Sequence, residues 1–414
     1  MEEVYIEREL ENKIKKYLKR KEIIAILGAR QCGKTTLMRH VFKDLKNAKF
    51  ISFDNKKILQ VFEQDIELFI KNYIENTDFL FVDEFQYAKE GGRTLKFIYD
   101  NHKTKIIISG SSAAELSIQS IKYLVGRIFV FTLSPFSFYE FIKYKNKNIY
   151  EKLIKDNKLS ELAKSILKSL YEEYVIFGGY PEAVIAKEKE EKIQIIKNIF
   201  NTYLLREIRE ILQIDDDRRL MQLIKALALQ LGNQANYNEL STLTGFNYKE
   251  LIRYIDILKK TFACLESKPY FRNKRKELVK TPKFYFLDNG FRNIAIDNFQ
   301  DFDKRTDRGQ LNENFVASEL FKKEFVLRYW RTKAGAEVDF VVERENKLIP
   351  IEVKSILRSP TYGKSLKNFM IDYKSEKGFV FSENYEEKIT LKNIKIIFKP
   401  LFYVGKELSG LLKS

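Results

Sequence analysis

Along the first third of the chain, short apolar runs alternate with longer stretches in which apolar residues recur every three or four positions. The runs lie at 23–27, 48–53, 79–83, 105–109 and 127–133, and each reads as a buried strand. Strands separated by helical patterns predict a parallel sheet covered on both faces. A short helix over roughly 6–18 precedes them. Residues 151–215 are helical and charged, with heptad-like Ile and Leu spacing. Three more helical patterns follow over 219–263, then an apolar strand (262–265), a basic stretch and a second strand (283–287). From about Arg305 the pattern changes again, to a helix beginning near Leu311 and strands at 326–330, 337–342 and 349–354. The chain is therefore expected to be α/β throughout, in segments 1–150, 151–215, 216–297 and 298–414.

Polar residues that end the apolar runs carry the first chemistry. The run Ile23–Leu27 breaks at Gly28, and Gly28-Ala29-Arg30-Gln31-Cys32-Gly33-Lys34-Thr35, with Thr36 after it, fits G-x-x-x-x-G-K-[ST] without a mismatch. Two glycines let the backbone curl so that successive N–H groups face a phosphate, and the helix that follows aims its positive end at the same anion. Lys34 would reach the β- and γ-phosphates of ATP, and the Thr35 hydroxyl would ligate Mg²⁺. The run Phe79–Val82 ends in Asp83 and Glu84. Charges on a strand buried on both faces belong at its carboxyl edge, where ligands bind. Asp83 is expected to hold Mg²⁺ through water and Glu84 to polarise the attacking water.

Composition adds a partner and removes some chemistry. Among 414 residues there are 74 Lys and Arg against 57 Asp and Glu, a formal net charge of +17. Such an excess favours a polyanion, nucleic acid before an acidic membrane surface. The two cysteines (Cys32, Cys264) and two histidines (His40, His102) cannot build a disulfide framework or a Cys/His zinc site. Any metal should be oxygen-bound. The acidic, polar start Met1–Lys13 lacks the features of a signal peptide, and no apolar stretch has the length of a membrane span, so a cytoplasmic protein is expected.

The succession Gly-Ala-Arg-Gln-Cys-Gly-Lys-Thr-Thr-Leu-Met, Phe-Val-Asp-Glu-Phe-Gln, Ile-Ser-Gly-Ser-Ser, Val-Gly126-Arg127 and Leu-Ser-Pro135-Phe-Ser-Phe-Tyr-Glu-Phe resembles a prokaryotic family of AAA-type P-loop ATPases with a C-terminal domain of unknown function. Later runs fit too: Phe-Gly178-Gly179-Tyr180-Pro181-Glu, Tyr-Leu-Leu-Arg206-Glu-Ile and Phe-Leu-Asp288-Asn-Gly290-Phe. The resemblance implies an AAA+-like parallel sheet and an ATPase. It implies a γ-phosphate-sensing residue at the end of the fourth strand, Ser109 or Ser111. Arg127 is a candidate arginine finger, acting in trans if the chain forms a homo-oligomer, with a surface salt bridge as its alternative. Residues 151–215 are read as a lid over the nucleotide, from which Arg206 or Arg209 could reach the phosphates, a solvated helix face being the alternative.

In the second half, Asn238–Leu243, the turn Thr244-Gly245-Phe246-Asn247 and a helix from Tyr248 have helix–turn–helix spacing, and two strands complete the layout of a winged helix. Asn247 would cap the second helix. Lys249 and Arg253 would face DNA from it, and a wing would present Lys268, Arg272, Lys274, Arg275, Lys276, Lys280 and Lys283. The alternative is a protein-docking module. The C-terminal segment resembles the PD-(D/E)XK nuclease fold. Alternation places Glu352 and Lys354 on one face of their strand, and Asp339 on the hairpin partner can meet them. The resemblance implies that Asp339 and Glu352 hold a divalent metal, with Lys354 at the water and Glu313 assisting from the preceding helix. A salt-bridged hairpin, or a nuclease fold without activity, is the other reading. Two functions stay open: an ATP-dependent, DNA-associated enzyme, or a nucleotide-switched regulator that cuts nothing.

Overall fold

The structure is a computed structural model that describes residues 5–111, 121–156, 158–212, 217–273, 280–391 and 393–413. The chain forms two compact units. One comprises Met1–Phe136 with Asn201–Gln213 and Lys260–Phe262, and the other comprises Ser137–Phe200, Ile214–Lys259 and Ala263–Ser414.

The first unit is built on strands β1 (Ile23–Leu27), β2 (Ala48–Ser52), β3 (Phe79–Asp83), β4 (Lys105–Gly110) and β5 (Ile128–Thr132), the five predicted, in the order β2-β3-β4-β1-β5. All neighbours are parallel. Every residue of β1 is buried, because helices cover both faces. Ile24, Ile26, Phe81 and Ile107 pack with Leu37, Met38 and Val41 of helix Lys34–Lys43 and with Ile14 of helix Glu9–Tyr17. On the other face Ala25, Leu80, Val82, Ile106 and Ile108 meet Leu95 and Ile98 of helix Gly91–Asn101. β4 lies between β1 and β3, so the phosphate loop and the acidic strand end face each other across one strand.

The second unit holds two sheets. Strands β10 (Phe340–Arg344), β11 (Lys347–Val353), β12 (Lys377–Ser382), β13 (Glu387–Leu391) and β14 (Ile394–Pro400) are ordered β10-β11-β12-β14-β13. β10 and β11 form the expected antiparallel hairpin, with Phe340 opposite Ile351. Strands β6 (Cys264–Pro269), β7 (Lys283–Phe286), β8 (Arg328–Arg331) and β9 (Glu337–Val338) form the order β7-β6-β8-β9. Helices Arg218–Leu229, Tyr237–Thr244 and Tyr248–Lys260 precede β6. Gly245 takes the left-handed conformation that ends the middle helix. Asn247 caps the third as expected: its side chain accepts from the Glu250 amide and its own amide donates to Glu250, both at 2.9 Å.

The two compact units group the expected segments by packing. Residues 137–200 pack within the second unit, where Phe138, Tyr171 and Phe315 form an aromatic cluster with centroids 4.9 to 5.9 Å apart. Of the expected lid only Asn201–Gln213 belongs with the phosphate-loop unit. The boundary at 297/298 also falls inside one unit, because β6 pairs directly with β8. Periodicity identifies strands but not which of them pair across 60 residues of sequence.

Candidate functional site

The phosphate loop is shaped from beneath. Gly28 passes so close to the chain after β5 that a Cβ there would lie 2.0 Å from the Leu133 carbonyl oxygen. Gln31 and Gly33 adopt positive φ, 59° and 94°, which turns successive amides towards one side. Cys32 is fully buried, and its thiol donates to the Leu133 carbonyl at 3.2 Å. It is a structural filler and not a modifiable thiol. Arg8, which no motif in the sequence marks, is buried beneath the loop. Its guanidinium donates to the Cys32 carbonyl at 2.7 Å and to the Ser134 carbonyl, and stacks 4.6 Å from the Phe136 ring. No spacing rule links an arginine in a polar leader to a loop 24 residues on.

At the carboxyl edge of the sheet the predicted residues converge. The Thr35 hydroxyl donates to Asp83 Oδ2 at 2.7 Å. Lys34 Nζ rests on the Gly28 and Ala29 carbonyls, each at 3.0 Å. Thr36 lies on the first turn of the same helix. Glu84 takes a left-handed backbone conformation, φ 54° and ψ 42°, a strained geometry that clusters at functional sites. Burial raises its pKa, with Asp83 adding to the rise, and together these outweigh the lowering by the Gln86 amide and Lys34. Gln86, the last residue of the Phe-Val-Asp-Glu-Phe-Gln run, bridges two strand ends. Its Nε2 donates to Glu84 and its Oε1 accepts from the Ser111 amide. An oxygen pair at Thr35 and Asp83, beside inward-facing amides and an ammonium, fits Mg²⁺ and a polyphosphate.

Between the two serines the structure makes a distinction. Ser109 donates to Asp83 and accepts from the Glu84 amide at 3.2 Å, so its hydroxyl is committed to the acids. The Ser111 hydroxyl is buried and has no hydrogen-bond partner among the described residues. Arg127 lies elsewhere. It precedes β5 and its carbonyl pairs with the Ile23 amide, at the amino edge of the sheet, opposite the loop. There it pairs with Asp100 at 2.9 Å. The salt bridge, the alternative to an arginine finger, is the arrangement present. Arg30 points towards helix Leu205–Leu212, 3.5 Å from the buried carboxylate of Glu207. Residue 206 lies outside the described side chains, and Arg209 is half-buried.

In the second unit the expected nuclease residues meet but are differently occupied. Asp339 accepts from the Val353 amide at 2.7 Å, and burial, with Glu313 beside it, holds its carboxyl well above the usual range. Glu352 accepts from the Gly363 amide at 3.0 Å and pairs with Lys354 at 3.1 Å. The two carboxylates that the nuclease resemblance assigns to a divalent ion are thus engaged by backbone amides and, for Glu352, by Lys354. Lys283, expected on a wing, is instead buried on β7. A lysine at the edge of an apolar strand carries no sign of which carboxylates it will meet. Arg272 stacks 4.8 Å from the Tyr373 ring, and Lys274, Arg275 and Lys276 lie outside the described residues. Lys249 and Arg253 are exposed on helix Tyr248–Lys260, as expected, beside exposed Tyr248 and Ile252. No described helix is long and apolar enough to cross a membrane.

The sheet order, the glycine loop and the acidic strand end together define a P-loop NTPase of AAA type. Residues 20–142 match an AAA domain and residues 308–401 the domain of unknown function DUF4143, the combination that the sequence resemblance implied. Residues 168–301 match a further domain of unknown function, DUF8612. An uncharacterized protein of Haemophilus influenzae is 25% identical over 394 residues, covering 91% of this chain and 92% of its own. Another, from Methanocaldococcus jannaschii, is 25% identical over 390 residues, 89% of this chain and 84% of its own. The Walker-type ATPase of Pyrococcus abyssi is a solved structure with 16% identity and a TM-score of 0.43, covering 70% of this chain and 96% of that one. That likeness is too slight to argue from.

Proposed function

We propose that the chain binds ATP with Mg²⁺ at the phosphate loop and hydrolyses it, and that its nucleotide state controls a second unit that binds DNA without cutting it. The observation that carries the first part is the 2.7 Å contact of Thr35 with Asp83, which brings the two expected metal ligands together beside Glu84. Mg²⁺ would supply charge neutralisation at the phosphates. The amides of 28–34 cradle the polyphosphate, and Lys34 leaves the two loop carbonyls for it. Glu84 positions and deprotonates the attacking water, and the Ser111 hydroxyl, without a partner among the described residues, reads the γ-phosphate. Glu84→Gln is expected to keep ATP bound while turnover falls by roughly 10² to 10⁴. Turnover at the parent rate would remove Glu84 from the role.

For the second unit, the charge excess and the exposed Lys249 and Arg253 support DNA binding through phosphate contacts. The non-cleaving reading is favoured over a nuclease because Asp339 and Glu352 are already held by backbone amides and, for Glu352, by Lys354. A link to the nucleotide runs along the chain. Helix Leu205–Leu212 carries Glu207, which meets Arg30 of the loop, and helix Arg218–Leu229 follows it in sequence.

A further inference from the structure

Beside Asp339, one of the carboxylates on which the nuclease resemblance expected a divalent ion, the protein places an ammonium. Lys283 opens β7 and is 1% exposed. Its Nζ lies 2.5 Å from Glu337 Oε1 and 3.5 Å from Glu313 Oε1. Burial alone would push a lysine towards neutrality, but the charges of Glu313, Glu337 and Asp339 outweigh it and keep the ammonium above its ordinary value. Each of these acids has a further partner. The Tyr285 hydroxyl donates to Glu313, Arg331 pairs with the second oxygen of Glu337 at 2.7 Å, and the Val353 amide donates to Asp339.

Three elements bring this about. β7 delivers the lysine, helix Arg308–Lys322 delivers Glu313, and the β9–β10 bend delivers Glu337 and Asp339. Gly232 closes the group from the side: a Cβ there would lie 2.9 Å from Glu313 Oε2. We infer that Lys283 is the resident cation of the Glu313–Glu337–Asp339 cluster and takes the place of a metal, so that the C-terminal fold is complete without a divalent ion. A divalent ion at the same carboxylates would have to sit against the ammonium, and like charges at that distance exclude one another. This inference rests on the non-cleaving reading and gives its physical cause.

The test is Mn²⁺ binding, followed by loss of the free-ion electron paramagnetic resonance signal. It uses the full chain without nucleotide, carrying Asp83→Asn so that the phosphate loop contributes no ligand. The parent of this series is expected to take up no Mn²⁺ that depends on Asp339. Lys283→Met should gain one site at least roughly tenfold tighter, and adding Asp339→Asn should abolish it. A parent site lost on Asp339→Asn, or a folded Lys283→Met variant that gains none, overturns the inference. If Lys283→Met does not fold, the parent with and without Asp339→Asn still decides, since that comparison needs no lysine variant. Parent Mn²⁺ uptake through Asp339 without nicking of DNA would overturn this inference alone. Uptake with nicking would overturn the non-cleaving reading too.

Discussion

Gly28 is the residue whose side chain, or lack of one, is most tightly dictated. The obstacle to a Cβ is a backbone carbonyl of the neighbouring strand's exit, which cannot rotate away. Gly28→Ala should therefore cost about 3 kcal/mol, measured by urea unfolding, as overpacking against fixed backbone does. Glu84 yields a prediction of opposite sign. Burial raises its pKa above the ordinary 4.5, so the folded chain holds that proton more tightly than the unfolded one. Stability contributed by this group is then lost as pH rises above 4.5. Glu84→Gln should melt higher than the parent at neutral pH, and the difference should close as pH falls below 4.5, which a pair of thermal melts would establish. Both residues are legible in the sequence, because a phosphate loop and an acidic strand end are defined by local spacing. Lys283 is not, because its partners come from positions 30 to 56 residues further along, brought in by strand pairing.

Elements add what single residues cannot. The order β2-β3-β4-β1-β5 puts the P-loop and Asp83 on strands that are not neighbours, as the intervening run at 48–53 suggests. The run holding Arg127 is equally legible as a strand, and its polarity in the sheet puts Arg127 away from this chain's own phosphate loop. A residue before a parallel strand lies at the amino edge, away from ligands. The helix Glu9–Tyr17 and the residue preceding it do more than cover a face. Arg8 supports the loop through two carbonyls. Arg8→Met should destabilise the chain by roughly 3 kcal/mol, since charged hydrogen bonds in a buried site are lost. It should also weaken ATP binding in a fluorescent-nucleotide titration. Undiminished affinity would confine Arg8 to packing.

At the scale of the molecule, hydrogen bonds tie the expected segments 216–297 and 298–414 to one another within the second unit. Asn314 clasps the backbone of Phe286, accepting from its amide at 2.7 Å and donating to its carbonyl at 3.1 Å, and Ser318 donates to the Leu287 carbonyl at 2.6 Å. Residues 298–414 expressed alone are therefore expected to lack a cooperative thermal transition by circular dichroism, although their own sheet is complete. A sharp melt would mean that the second sheet is dispensable. DNA binding also belongs to this scale. Reversing Lys249 and Arg253 should flatten the salt dependence of affinity by about one unit for each phosphate that the helix no longer neutralises. An unaltered slope would assign the exposed Tyr248 and Ile252 face to protein docking.

The aromatic cluster of Phe138, Tyr171 and Phe315 has a consequence for how the protein is made. The Phe138 amide donates to a side chain 181 residues later, at Glu319. At ~5–20 residues per second, a ribosome leaves the helices of 137–200 without their partners for roughly 10–40 s. Their phenylalanine and tyrosine faces are bare during that interval, within reach of chaperones and of other nascent chains. The first five strands, by contrast, emerge together and can close a sheet early. Translation thus yields a shaped phosphate loop before the unit it is proposed to control exists. Codon-level slowing after residue 200 would lengthen the exposed interval, and should lower the yield of folded protein without changing any residue of it.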